Sequence, residues 1–183
     1  MKSEKFFIIT GAEGSGKTRV IDDLEEKRPF YRVTYLSTRN TKEKGDQEIG
    51  WNEFKKLAEE DQLILSYPKK DYLTGVTYEE ISRAVESNKP VVWEVGLKWL
   101  EIIKNEYPSS VVILVNGIGI EDLYEHLESL GQTVPAAIAL QAKRSNTLNK
   151  NWHENVDYIV ENKRNESQKA AQRIKEIIEK VYK

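Results

Sequence analysis

A short continuous apolar run, Phe6-Phe-Ile-Ile9, leads straight into Gly11-Ala-Glu-Gly-Ser-Gly-Lys-Thr18, and a stretch of helical period follows. Glycines let such a loop curl so that successive backbone N–H groups converge on an anion. The first turn of the following helix adds its partial positive charge. Lys17 supplies a full charge for the outer phosphates of a nucleoside triphosphate, and Thr18 a hydroxyl for Mg²⁺. Gly-x-x-x-x-Gly-Lys-Thr between a strand and a helix is the P-loop arrangement. The alternative is a glycine-rich turn with no ligand, and the full match in this context favours nucleotide binding. The expected nucleotide cradle is Gly11, Ala12, Glu13, Gly14, Ser15, Gly16, Lys17 and Thr18, with ATP and Mg²⁺ as its ligands.

The rest of the chain repeats the rhythm that the loop begins. Apolar runs at 6–10, 32–36, 63–67, 90–95, 110–115 and 157–160 read as strands. Val91-Val-Trp93 and Val111-Val-Ile-Leu-Val115 are continuous rather than alternating, as strands covered on both faces are. Helical segments are expected at 18–26, 52–60, 77–85, 96–106, 120–130, 135–149 and 166–181, and Thr77-Tyr-Glu-Glu80 is a capping-box start. Alternation of this kind predicts an α/β fold with a mostly parallel sheet, and 183 residues suit one domain. Two regions break the rhythm: the polar stretch 37–75 and the Ala-, Gln-, Lys- and Asn-rich stretch 131–154. Both read as flaps over a core.

Lys plus Arg (28) nearly balance Asp plus Glu (30), which argues against a general nucleic-acid or anionic-membrane surface. The chain has no cysteine, so thiolate nucleophiles and Cys-ligated zinc are excluded. His126 and His153 stand far apart and read as surface helix residues. No apolar run approaches the roughly 18 residues of a membrane span, and the N-terminus lacks a signal-peptide core. These features suggest a soluble, cytoplasmic protein.

Among P-loop proteins, a GTPase would need Asn-Lys-x-Asp after a strand. The nearest string, Asn88-Lys89-Pro90-Val91, has no Asp and precedes a strand. A small phosphotransferase fits the length best. Glu94 closes the strand at 90–95, where a carboxylate faces the ligand crevice of a parallel sheet. There it could hold a water on Mg²⁺ or contact the phosphate acceptor; a solvated strand-end charge is the plainer alternative.

Behind the P-loop, Ser37-Thr-Arg39-Asn-Thr-Lys42 followed by Gly45-Asp46 resembles the acceptor-phosphate loop of guanylate kinases. In the same order, Trp51-Asn-Glu-Phe54, Leu63-Ile-Leu-Ser-Tyr67, Tyr72-Leu-Thr-Gly75, Val91-Val-Trp-Glu94 and Asp157-Tyr-Ile-Val-Glu-Asn162 are similar to later segments of that family. The resemblance implies a three-layer P-loop kinase core (1–36, 76–130 and 155–183), an acceptor-binding subdomain at about 37–75 and a helical lid at about 131–154. It also implies transfer of the ATP γ-phosphate to GMP. Lys17, Arg39 and Arg144 (or Lys143) would be the catalytic cations. Ser37, Arg39, Lys42, Ser66, Tyr72, Thr74 and Glu94 would line the acceptor site, with Thr18 and, through water, Glu94 at the metal. Cations in those roles suit a reaction that brings two polyanions together.

The departures from the family fall on the acceptor side. Lys42 stands where Arg is usual and lacks the bidentate fork. Ser66 and Gly96 stand at the two places of the guanine-reading acids. Guanine's N1–H and amino group are donors that a carboxylate satisfies, so base reading is expected to be eroded. Beside the kinase, a non-catalytic guanylate-kinase-like module that binds a protein or phosphopeptide, or a sugar-phosphate kinase, stays open. The intact Gly16-Lys17-Thr18 favours an enzyme.

Overall fold

In the computed structural model, which describes residues 6–39, 45–69, 71–117 and 155–182, every residue of Phe6–Thr10 is buried in the strand β1. The chain continues through α1 (Lys17–Lys27), β2 (Tyr31–Arg32), β3 (Tyr35–Ser37), β4 (Asp46–Glu48), α2 (Trp51–Glu59), β5 (Leu63–Pro68), β6 (Leu73–Thr77) and α3 (Tyr78–Glu86). Then come β7 (Val91–Glu94), a 3-10 turn (Leu97–Trp99), α4 (Leu100–Glu106), β8 (Val111–Asn116), β9 (Tyr158–Glu161) and α5 (Ser167–Val181). Two compact units result, one of Met1–Pro29 with Val92–Lys183 and one of Phe30–Val91.

In the first unit the strands neighbour one another in the order β7-β1-β8-β9. β1 pairs parallel with β8 from Phe7 opposite Val111 to Thr10 opposite Leu114, and β8 pairs parallel with β9. Residues 7 to 9 of β1 and 112 to 115 of β8 are buried on both faces, so the apolar runs are continuous. Val20, Ile21 and Leu24 of α1 pack with α5, whose Ala170, Ala171, Ile174, Ile177 and Ile178 form its buried stripe. The Phe6 ring lies 4.7 Å from Tyr107 and 6.4 Å from the fully buried Trp93. The α/β core and mostly parallel sheet are as the sequence predicts.

The second unit carries a four-stranded sheet in the order β4-β3-β6-β5. β3 pairs parallel with β4, while β6 runs antiparallel to both β3 and β5. Thr77 caps α3 as expected, its hydroxyl accepting from the Glu80 N–H at 3.0 Å. The Glu80 side chain, 5% exposed, does not close the reciprocal half of the box. Its carboxylate accepts instead from the Thr34 N–H at 2.8 Å and the Tyr31 hydroxyl at 3.2 Å, with Arg83 at 3.1 Å.

That contact explains one difference from the sequence reading. The strand expected over 32–36 is two strands, β2 and β3, because Glu80 takes the Thr34 N–H out of any ladder. The helix expected at 96–106 opens instead as the 3-10 turn, with α4 starting at Leu100. β4 and β6 are strands that the sequence reading does not assign. The helices expected at 120–130 and 135–149, the lid, His126 and His153 lie outside the described residues.

Candidate active site

The P-loop joins β1 to α1 within the first unit. Gly16 sits at φ +81°, a left-handed conformation that side-chain-bearing residues rarely adopt. A Cβ on Gly11 would press on the Val115 carbonyl oxygen of β8, so only glycine passes there. A turn closes inside the loop, with the Ser15 N–H donating to the Ala12 carbonyl at 3.1 Å. Lys17 folds back along the loop, its Nζ donating to the carbonyls of Gly11 (3.1 Å) and Ala12 (2.9 Å). The ammonium is thereby held over the curl rather than released to solvent. Ser15 is buried, whereas Glu13, Gly14 and Thr18 face outward.

Glu94 reaches the same place from the end of β7. The Val95 N–H donates to the Ile9 carbonyl at 3.0 Å, which pins the end of β7 beside the end of β1. The Thr18 hydroxyl then donates to the Glu94 carboxylate, at 3.1 Å to Oε1 and 3.2 Å to Oε2. A hydroxyl has one proton and two lone pairs. With its proton committed to Glu94, Thr18 Oγ1 presents lone pairs outward, and a hydroxyl beside a carboxylate is an oxygen donor set that suits a hard divalent cation. Among the described residues no group of three or more His, Cys, Asp or Glu forms a metal cage of its own. A cation here would share its ligands with substrate phosphates and water, as Mg²⁺ does.

In the second unit the residues expected at the acceptor fall into two sets. Ser37 is fully buried and its Oγ accepts from the Arg39 N–H at 3.3 Å. Thr38 Oγ1 accepts from the Leu73 N–H at 2.9 Å, which ties this loop to β6. The Arg39 guanidinium lies 4.5 Å from the centre of the Tyr72 ring. Ser37 pairs with Thr74 across the β3–β6 ladder, so Ser37, Arg39, Tyr72 and Thr74 come together.

Ser66 stands apart from them. It pairs with Gly75, whereas Thr74 pairs with Tyr67, and neighbouring strand positions face opposite ways. Ser66 therefore lies on the face opposite Ser37 and Thr74, beside a pocket of about 380 Å³ lined by Trp51, Phe54 and Ala58 of α2. Leu65, 4% exposed, and Tyr67 are the β5 residues on the Ser37–Thr74 face. Lys42, Lys143 and Arg144 lie outside the described residues.

One residue that the sequence reading did not assign to the site belongs beside the loop. Asn162, just after β9, donates from Nδ2 to the Ser15 carbonyl at 2.8 Å. Its only sequence signal is its place at the end of the Asp157–Asn162 segment.

A family model described as guanylate kinase matches residues 3–181. The chain belongs to the guanylate kinase family. It is 24% identical over 149 residues to the guanylate kinase of Trichormus variabilis, covering 78% of this chain and 75% of that one. To the guanylate kinase of Caldanaerobacter subterraneus subsp. tengcongensis it is 24% identical over 184 residues, covering 97% and 87%. A crystal structure of guanylate kinase from Anaplasma phagocytophilum shares the fold, with a TM-score of 0.67 at 14% identity over 99% of this chain and 88% of that one. As a guanylate kinase family member, the chain is a nucleoside monophosphate kinase. No helix among the described residues is long and apolar enough to cross a membrane.

Proposed function

We propose that the chain transfers the γ-phosphoryl group of ATP to GMP, and that the contact between Thr18 and Glu94 is where Mg²⁺ enters the reaction. The observation that carries this reading is the P-loop itself. Lys17, Gly16 and Thr18 are all present, and Thr18 is oriented by a carboxylate 76 residues away. A protein-binding module of the same fold has no need of that arrangement.

In this reading, Lys17 leaves the Gly11 and Ala12 carbonyls to bind the β- and γ-phosphates. Thr18 would be a direct metal ligand and Glu94 an outer one through water. Bound there, Mg²⁺ supplies positive charge that offsets the triphosphate and the developing transition state. The acceptor phosphate would be held by Arg39 and Lys42 within an acceptor-binding subdomain at about 37–75, with Ser37, Tyr72 and Thr74 beside it. Arg144 or Lys143, from a lid at about 131–154, would meet the transferred group. A phosphate oxygen of GMP attacks the γ-phosphorus, the bond to the β–γ bridging oxygen breaks, and ADP and GDP result. An enzyme drawing on ATP and GMP suits a cytoplasmic location.

The test is ADP release from ATP-Mg²⁺ against GMP, dGMP, AMP, CMP, UMP and sugar phosphates. The expected result is release with GMP that is abolished in Lys17→Ala. A Lys17→Ala variant that turns over normally while folded, or no release with any nucleotide, removes the reading.

A further inference from the structure

Asn162 links the C-terminal strand to the phosphate loop across 147 residues of sequence. Its backbone N–H donates to the Asn116 carbonyl at 2.8 Å, continuing the β8–β9 ladder, and the residue is only 8% exposed. Side-chain orientation is not ambiguous here, because the Ser15 carbonyl can only accept and so must face Nδ2. The amide also crowds Gly16. A Cβ at position 16 would collide with Asn162 Nδ2, so a side chain there would displace the clamp as well as strain the backbone.

The Ser15 carbonyl and the Gly16 N–H belong to one planar trans peptide and point in opposite directions. Holding the carbonyl toward Asn162 therefore turns the Gly16 N–H away from it. Were this peptide to flip, the loop would offer an anion a carbonyl oxygen in place of a donor. Gly16 is the residue most free to permit such a flip, since it sits at positive φ with no side chain.

We propose that Asn162 is a positioning residue for phosphoryl transfer: it clamps the Ser15–Gly16 peptide in the orientation that aims the Gly16 N–H at a nucleotide phosphate. The proposal rests on the reading of the loop as an ATP site. It concerns the phosphates, not the base. Its effect therefore falls equally on any ligand that carries the same polyphosphate.

Calorimetric titration with ATP-Mg²⁺ and with tripolyphosphate-Mg²⁺ tests it on the wild-type chain, Asn162→Ala and Asn162→Asp. Losing the donor should weaken both ligands by about tenfold in Asn162→Ala, the scale of one hydrogen bond. Asn162→Asp is isosteric and should lose more, since a carboxylate repels both the Ser15 carbonyl and the polyphosphate. In turnover, the KM for ATP should rise with the KM for GMP unchanged, a split that general loss of stability does not produce. In the wild-type chain, the Gly16 amide proton should move downfield on addition of tripolyphosphate.

Loss of affinity for ATP alone would overturn the proposal, because the amide would then serve the base. Unchanged affinity for both ligands in folded variants, or an unshifted Gly16 amide, overturns it too. If neither variant folds, the Gly16 resonance decides. Failure of the wild-type chain to bind ATP at all would instead remove the phosphotransferase reading beneath it.

Discussion

The Thr18 hydroxyl donates to the Glu94 carboxylate at 3.1 Å, joining the first turn of α1 to the end of β7. Such an arrangement sets the direction of the Thr18 lone pairs. Glu94→Gln keeps the shape of the side chain and removes the charge. We expect kcat to fall about 10–100-fold, as for loss of an outer-shell metal partner. The loss should be partly recovered at high Mg²⁺. Kinetics over a Mg²⁺ series check this, and an unchanged Mg²⁺ dependence would show that Glu94 has no part in the metal site.

Arg39 is expected to act on the acceptor and not on ATP. Its N–H is tied to Ser37 and its guanidinium lies against Tyr72, within the second unit. Arg39→Ala should cost about 2–4 kcal/mol in acceptor kcat/KM, the scale of a buried charge-assisted contact. ATP affinity measured alone should stay within about twofold, since sites without shared partners are nearly independent. A large loss of ATP affinity with normal acceptor kinetics would place Arg39 elsewhere.

Legibility from sequence follows the range of the contacts. β1 and the P-loop are local: a dry strand needs a continuous apolar run, and the loop needs its glycines, Lys17 and Thr18 at fixed spacing. The break between β2 and β3 is not local. Thr34 leaves the ladder because Glu80, 46 residues later, supplies the acceptor. Asn162 is hidden for the same reason, its partner being a backbone carbonyl that no pattern in the sequence marks. Ser66 shows a third kind of difficulty. A strand's face depends on pairing register, and a slip of one residue exchanges the two faces. The string Leu63-Ile-Leu-Ser-Tyr67 offers either Leu65 or Ser66 to the Ser37–Thr74 face, and only the pairing of Leu65 with Val76 decides.

Glu80 gives a prediction about stability rather than activity. Glu80→Ala would strand the Thr34 N–H and the Tyr31 hydroxyl and leave Arg83 without this partner. We expect a loss of about 2–4 kcal/mol, the scale for breaking a buried hydrogen-bonded charge. Burial first, and then the Glu80 carboxylate, raise the Tyr31 hydroxyl above its ordinary pKa. A raised folded-state pKa contributes stability that is complete below the unfolded value, about 10, and lost as pH rises through the folded one. Urea unfolding at neutral pH and an ultraviolet titration of Tyr31 check both parts. In Glu80→Gln the tyrosine should titrate at lower pH than in the wild type, and an unmoved titration would contradict the assigned role of Glu80.

The base of the acceptor should be read weakly. Guanine offers an N1–H and an amino group, and a closed site that leaves such donors unpaired loses affinity for it. The β5 and β6 residues that share a face with Ser37 are Leu65, Tyr67, Thr74 and Val76, and none of them is acidic. Ser66, the hydroxyl at the first place of an acid in the family pattern, is turned to the α2 side. Gly96, at the second place of an acid in the family pattern, has no side chain. Among the described residues its position is nevertheless roomy, since an added Cβ would meet nothing nearer than Trp99 Cδ1 at 3.8 Å, and its φ of −66° suits any residue. We therefore expect kcat/KM for GMP to exceed that for at least one other nucleoside monophosphate by only about 10–100-fold, against roughly 10⁴ for a site built to pair both donors. Gly96→Asp should fold normally and raise the preference for GMP by about tenfold, the worth of one charge-assisted hydrogen bond. Steady-state kinetics on the nucleotide panel settle the matter. High kcat/KM for GMP with negligible turnover of every other nucleotide would mean that the guanine donors are met by residues other than these.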